Sequence, residues 1–160
     1  MDLRTLTIII GARYLIYFML LIGGIYFVSL QREQRRQLAI FGITAFLITY
    51  IVAWIAGLLY YDPRPFVSGH FIPLLPHAPD NGFPSDHTLL ASAIAAVIYP
   101  TNRPLGLIFW GLAILVGISR IAAGVHSPID IIGSMVIAFL VCTGVHAALE
   151  ARRKQKRNTV

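Results

Sequence analysis

Charge is scarce in this chain of 160 residues: only 12% of positions are Asp, Glu, Lys or Arg, and only seven are acidic. A soluble domain carries about twice that share, so a soluble globular fold is excluded. Cysteine is nearly absent as well. Cys142 stands alone inside an apolar segment, so no internal disulfide can form and the residue reads as packing. There is no internal repeat, and no low-complexity segment apart from a basic C-terminal tail. What fills the chain instead is apolar, at 57% of residues with a mean hydropathy of +0.73. That is the composition of a membrane protein. A spanning helix takes roughly 20 apolar residues, which leaves room for about five spans in one domain over residues 1–160. The net charge of +6 does not signal a nucleic-acid partner, because the basic residues flank the apolar segments, the pattern that orients helices in a bilayer.

Taken in order, residues 1–13 read as an interfacial lead-in and Tyr14 to Leu30 as a first span, retained because no small-residue cleavage site follows it. The polar stretch QREQRRQ reads as a cytoplasmic turn, and Leu38 to Leu59 as a second span ending in Tyr60 and Tyr61 at the opposite interface. The loop from Asp62 to Gly82 contains Pro63, Pro65, Pro73, Pro76 and Pro79. So many prolines preclude regular helix, so the loop must lie outside the lipid or against protein, where it is expected to cover a site. Pro84 to Tyr99 forms a short third span, Leu105 to Ser119 a fourth, and Pro128 to about Glu150 a fifth that runs into ARRKQKR. The prediction is an all-α, multi-pass helical bundle. The positive-inside rule then puts Arg32, Arg35, Arg36, Arg103 and the basic tail in the cytoplasm of a plasma-membrane protein, with the N-terminus outside. Arg64 and Arg120 fall on the outer half.

Three polar clusters share that outer level: YYDPRPF, FPSDHT and SRIAAGVHSPID. Ionisable groups beside lipid are costly unless partners or a ligand compensate. Asn81 and Ser85 offer caps and Pro84 suits a first helical turn, so the N–H groups there are available to a phosphate, with Ser85 assisting and His87 placed to give a proton to a leaving oxygen. His126 precedes a helix start, and Asp130 in the first turn reaches back to fix its tautomer. Arg64 and Arg120 supply guanidinium forks for phosphate oxygens. Each residue alone has a blander reading: a capping carboxylate, a helix-dipole arginine, interfacial histidines. Their joint occurrence on one face favours an anion site. His77, Asp80 and Asp86 read as loop solvation or local capping, with substrate contact as the lesser alternative, and His146 as structural.

Arg64 and Pro65, then PSDH at 84–87, then Ser119, Arg120, His126 and Asp130, resemble the three signature motifs of the type 2 phosphatidic acid phosphatase (PAP2) superfamily, over roughly Tyr60 to Asp130. The resemblance implies phosphate hydrolysis through a phosphohistidine, with no metal and no other cofactor. It implies His126 as nucleophile, Asp130 as its partner and His87 as acid. Arg64, Ser85 and Arg120 would hold phosphate, with Pro65, Asp86 and Ser119 completing the motifs. PSDH and the neighbouring PHAPDNGF are similar to undecaprenyl pyrophosphate phosphatases of the bacitracin-resistance type, which implies release of phosphate from undecaprenyl diphosphate on the outer side, recycling a carrier lipid for cell-wall synthesis. A phosphatidylglycerophosphate or phosphatidate phosphatase would use the same residues, and a non-enzymatic lipid-phosphate binder would need only the arginines. Two departures stand out. Gly57 occupies the position, seven before the arginine, where the first motif usually has lysine, with Arg13 or His70 as candidate substitutes, and five spans replace the six of many members.

Overall fold

The computed structural model describes residues 2–158, and all of their regular structure is helical. Four helices are long and apolar enough to cross a bilayer: α1 (Leu3–Ser29), α2 (Arg32–Leu59), and, further on, Arg103–Ala122 and Pro128–Asn158. Between them lie the short α3 (Pro65–Ser68) and α4 (Asp86–Ile98), so the two later long helices are α5 and α6. The multi-pass bundle is as the hydropathy predicts.

The boundaries of the long helices differ from the sequence reading in one consistent way. Asp2 caps α1 by accepting from the Thr5 amide at 3.1 Å, so the lead-in is already helix. The supposed turn QREQRRQ contributes only Gln31 to the connection. Arg32 onward is helical, with Gln31 and Gln34 forming a reciprocal cap and Glu33 pairing with Arg36 at 3.1 Å. Arg35 reaches back to the carbonyls of Val28 (2.6 Å) and Leu30 (2.9 Å), which α1 leaves without helical partners. The basic tail also continues α6 to Asn158. A helix closes its own backbone hydrogen bonds in water as well as in lipid, so hydropathy marks where the membrane ends and not where the helix does.

α4 is the axis of the bundle, packed against α1, α2, α5 and α6. Thr88, Leu89, Ala91, Ser92, Ala93, Ile94, Ala95, Val97 and Ile98 are all buried. Its small residues let neighbouring backbones approach closely, which drives helix association where lipid removes the hydrophobic effect between spans. On one side Ala91, Ile94 and Ala95 meet Met19 of α1 and Phe109 and Val116 of α5. On another, Leu89, Ala93 and Val97 meet Phe41 and Ala45 of α2 and Ala138 and Cys142 of α6. Cys142 is thus core, as expected. Leu47, Trp54, Leu107, Leu115, Ile132 and Leu140 point outward as a lipid-facing surface.

The alternation of directions brings the start of α1, the end of α2, the start of α4, the end of α5 and the start of α6 to one end of the bundle. At 13 residues α4 is about 20 Å long, short of the roughly 30 Å hydrocarbon core. A helix of that length leaves part of the bilayer thickness to the segments that flank it, and the α2–α4 loop leads directly into its start.

Candidate active site

Asn81 organises the loop. Its amide Nδ2 donates to the carbonyls of Gly57 and Tyr60, both at 2.9 Å, closing the end of α2, while its Oδ1 accepts from the amides of Asp62 (2.9 Å) and Phe83 (3.0 Å). Pro63 and Asn81 form a β-bridge, and the Gly82 amide donates to the Asp62 carbonyl at 2.8 Å. Arg64 is thereby held inside the fold, 5% exposed, with Nη1 donating to the Val125 carbonyl at 2.9 Å and Nη2 to the Asn81 carbonyl at 3.3 Å. Its Nε pairs with Asp80 at 2.6 Å. Asp62 accepts a hydrogen bond from the Ser127 hydroxyl, tying this loop to the start of α6.

His126 lies between α5 and α6, where the chain reverses through Gly124 at φ +77°, a conformation that disfavours any side chain. The ring is buried. Its Nδ1 is 3.1 Å from Asp130 Oδ2, the same oxygen that accepts the Ser127 amide at 2.9 Å. Its Nε2 faces Arg64 Nη1 at 3.4 Å and Arg120 Nη2 at 3.3 Å. Guanidinium nitrogens only donate, so Nε2 is the acceptor and the ring proton belongs on Nδ1, directed at Asp130. Burial lowers the pKa of His126; the Asp130 hydrogen bond opposes this, and Arg120 and Arg64 add to it. Gly82 makes the fit possible, since a Cβ there would stand 2.8 Å from Asp130 Oδ2.

Arg120, in the last turn of α5, is 4% exposed and donates from Nη1 to the Ala12 carbonyl at 3.4 Å. Ala12 sits inside a π-helical turn, Ile10–Tyr14, where α1 widens beside the site. Such turns recur at functional sites. The structure thus gathers Arg64 from the loop, Arg120 from α5, His126 from the α5–α6 connection and Asp130 from the first turn of α6.

The other residues singled out by the sequence fall in different places. Ser85 occupies the N-cap position of α4 without a side-chain cap bond. Its hydroxyl accepts from Thr88 at 3.2 Å, its carbonyl from the Ser134 hydroxyl at 3.0 Å, and its amide donates to the Asp130 carbonyl at 3.4 Å. Pro84 stays outside the helix, so the third span starts two residues later than predicted. His87 is half-buried in the first turn of α4 and makes no hydrogen bond with the described residues, while Asp86 beside it is exposed. Pro65 begins α3 directly behind Arg64. Ser119 faces Gly11 of α1, with its hydroxyl where a Cβ of Gly11 would be. Neither suggested substitute for the first-motif lysine comes to the site. Arg13 is exposed, with its guanidinium 5.6 Å from the Tyr14 ring centre, and His70 is exposed in the loop.

His77 is the histidine that does come near, its ring centre 5.9 Å from that of His126. Asp62 and Ala12 also escape sequence reasoning, and Asn81, expected as a cap for the helix start, ties the loop to the end of α2 instead. Asp62 among prolines gives only the signal of a solvated turn, and an alanine carbonyl carries none at all.

The PAP2 superfamily model matches residues 37–154. Undecaprenyl-diphosphatase BcrC of Bacillus subtilis is 41% identical over 112 residues, covering 69% of this chain and 55% of that protein. The bacitracin transport permease protein BcrC of Bacillus licheniformis is 34% identical, covering 81% and 64%. The putative undecaprenyl-diphosphatase YbjG of Escherichia coli is 31% identical, covering 73% and 60%. The chain therefore spans between about half and two thirds of the length of these relatives. The crystal structure of a transmembrane PAP2-type phosphatidylglycerolphosphate phosphatase from Bacillus subtilis has the same fold, with a TM-score of 0.56 and 24% identity over 91% of this chain and 74% of that one. With the family model matched over most of the chain, from the second turn of α2 almost to the end of α6, this membrane protein belongs to the PAP2 superfamily.

Proposed function

We propose that the chain is a membrane lipid phosphatase, working as a single domain, that hydrolyses undecaprenyl diphosphate to undecaprenyl phosphate and inorganic phosphate through a phosphohistidine. One observation carries this reading: the lone pair of His126 Nε2 is aimed between two buried guanidiniums while Asp130 holds the opposite ring nitrogen. A phosphate-binding protein needs the arginines, but it has no use for an imidazole oriented as a nucleophile. The names of the relatives point to the diphosphate as substrate.

In this mechanism the terminal phosphoryl group lies against Arg64 and Arg120, whose N–H groups bear the charge on its equatorial oxygens in the transition state. Nε2 attacks phosphorus as the bond to the bridging oxygen breaks, and Asp130 stabilises the imidazolium character that develops on the ring. Undecaprenyl phosphate leaves, its oxygen protonated by His87 where a proton is needed. Water then attacks the phosphohistidine, with His87 taking its proton, and phosphate departs as Nε2 regains its lone pair. Ser85 and the start of α4 line the phosphate side. A site at one end of the spanning bundle suits a substrate whose tail stays in the bilayer. The basic residues Arg32, Arg35, Arg36, Arg103 and the end of α6 all belong to the opposite end of the bundle, which supports a site facing outside and a cytoplasmic C-terminus.

Phosphate release by the purified protein in detergent tests this, with undecaprenyl diphosphate, phosphatidylglycerophosphate and phosphatidate assayed in parallel and with chelator present. The expected result is preference for the diphosphate, unaffected by chelator, with His126→Ala slower by about a thousandfold or more. Preference for a glycerolipid would keep the mechanism and change the substrate. No release from any of the three would leave a lipid-phosphate binder as the better reading.

A further inference from the structure

One imidazole near the two guanidiniums has no part in the mechanism above. His77 lies in the loop between α3 and α4, half-buried, its ring almost perpendicular to that of His126 at 79°. The loop does not hold it there loosely. Two residues earlier, Leu75 is buried with Ala12, Ala123 and Val125, and the Leu74 amide donates to the Ala123 carbonyl at 3.0 Å. Three residues later, Asp80 is paired with Arg64. Pro76 and Pro79 restrict the backbone between these anchors. His77 itself makes no hydrogen bond with the described residues. Burial first, and then Arg64 and Arg120, lower its pKa to about 4, so near pH 7 it is a neutral ring with one N–H to donate.

The end of α2 has little room to supply a third ligand. A Cβ at Gly57 would stand 3.0 Å from the Phe83 carbonyl oxygen and 3.9 Å from Asn81 Nδ2, so a side chain there would press on the loop at Phe83. An unpaired N–H held beside two guanidiniums calls for an acceptor that all three can share, and a tetrahedral phosphoryl group has enough oxygens for that. Taking the site as that of a phosphatase, as above, we propose that His77 is a third phosphate ligand, its N–H donating to an oxygen of the phosphoryl group held by Arg64 and Arg120.

The test uses two variants of the full chain. His77→Phe keeps the ring packing and removes the donor; His77→Gln restores a donor on a different frame. Phosphate release from undecaprenyl diphosphate, inhibition by orthovanadate and the thermal midpoint in detergent are measured for both, beside wild type and His126→Ala. The expected result for His77→Phe is a loss of kcat/KM of about 10- to 100-fold, with vanadate inhibition weakened to match, an unchanged midpoint, and partial recovery of both in His77→Gln. If wild type turns over and His77→Phe keeps kcat/KM and vanadate inhibition within about twofold, His77 only packs and the proposal is wrong. A loss that follows the thermal midpoint, with no recovery in His77→Gln, would also overturn it. A wild type no more active than His126→Ala would remove the phosphatase reading itself, and this proposal with it.

Discussion

The chemistry proposed for His126 needs the neutral ring, and the pH at which that ring is available follows from its surroundings. Burial disfavours the imidazolium, and the neighbouring guanidiniums disfavour it further, so the pKa lies below the usual histidine value of about 6.5 despite the opposing hydrogen bond that the ring donates to Asp130. Because this pKa is lowered, the nucleophile stays neutral as pH falls through the ordinary histidine range and is lost only at more acid pH. The acid limb of kcat/KM against pH should therefore lie below about 6.5. Asp130→Asn removes an influence that raises the pKa, so the limb should move further to acid while kcat falls by about 10²- to 10⁴-fold as ring orientation is lost. An acid limb above 6.5, or one that moves to alkaline pH in Asp130→Asn, would contradict the assignment.

Among the helices, α1 has a less obvious role than the motif-bearing segments. It contributes no side chain to the site, yet Ala12 in its π-turn accepts from Arg120, and Ser119 packs on Gly11 in the same turn. A π-turn carries one residue more than the α-helix would use, so deleting Ile10 should restore regular helix and rotate everything before it by about 100°. Arg120 would lose a partner that helps hold it against His126. We expect this deletion to lower kcat/KM by roughly tenfold without preventing insertion or folding, because Ile16 and Met19 still anchor α1 on α4 and α5. Wild-type activity in the deletion variant would show that α1 serves packing alone.

For the molecule as a whole, the proposed orientation makes a direct prediction. Cys142 is buried, so an introduced cysteine should report on its own position. Ser68 is exposed at the site end and Arg152 is exposed at the other. An impermeant maleimide applied to intact cells should label Ser68→Cys and should reach Arg152→Cys only after permeabilisation; the opposite pattern would invert the topology. The hydropathy of the chain was sufficient to determine a multi-pass helical bundle, because each span answers to lipid on its own. The motif residues were legible for a related reason: charge costs so much beside lipid that Arg64, Arg120, His126 and Asp130 stand out of an apolar background. What only the tertiary structure decided is how they meet. The Nε2 of His126 lies between guanidiniums that come 62 residues before it and six residues before it, and no periodicity records that approach. The burial of α4 on nearly every side, the clamped position of His77, and the carbonyl that α1 brings to Arg120 were hidden for the same reason. Local pattern reports what each residue prefers as surroundings, whereas these contacts depend on which surfaces the packed helices and the loop anchored by Asn81 bring together.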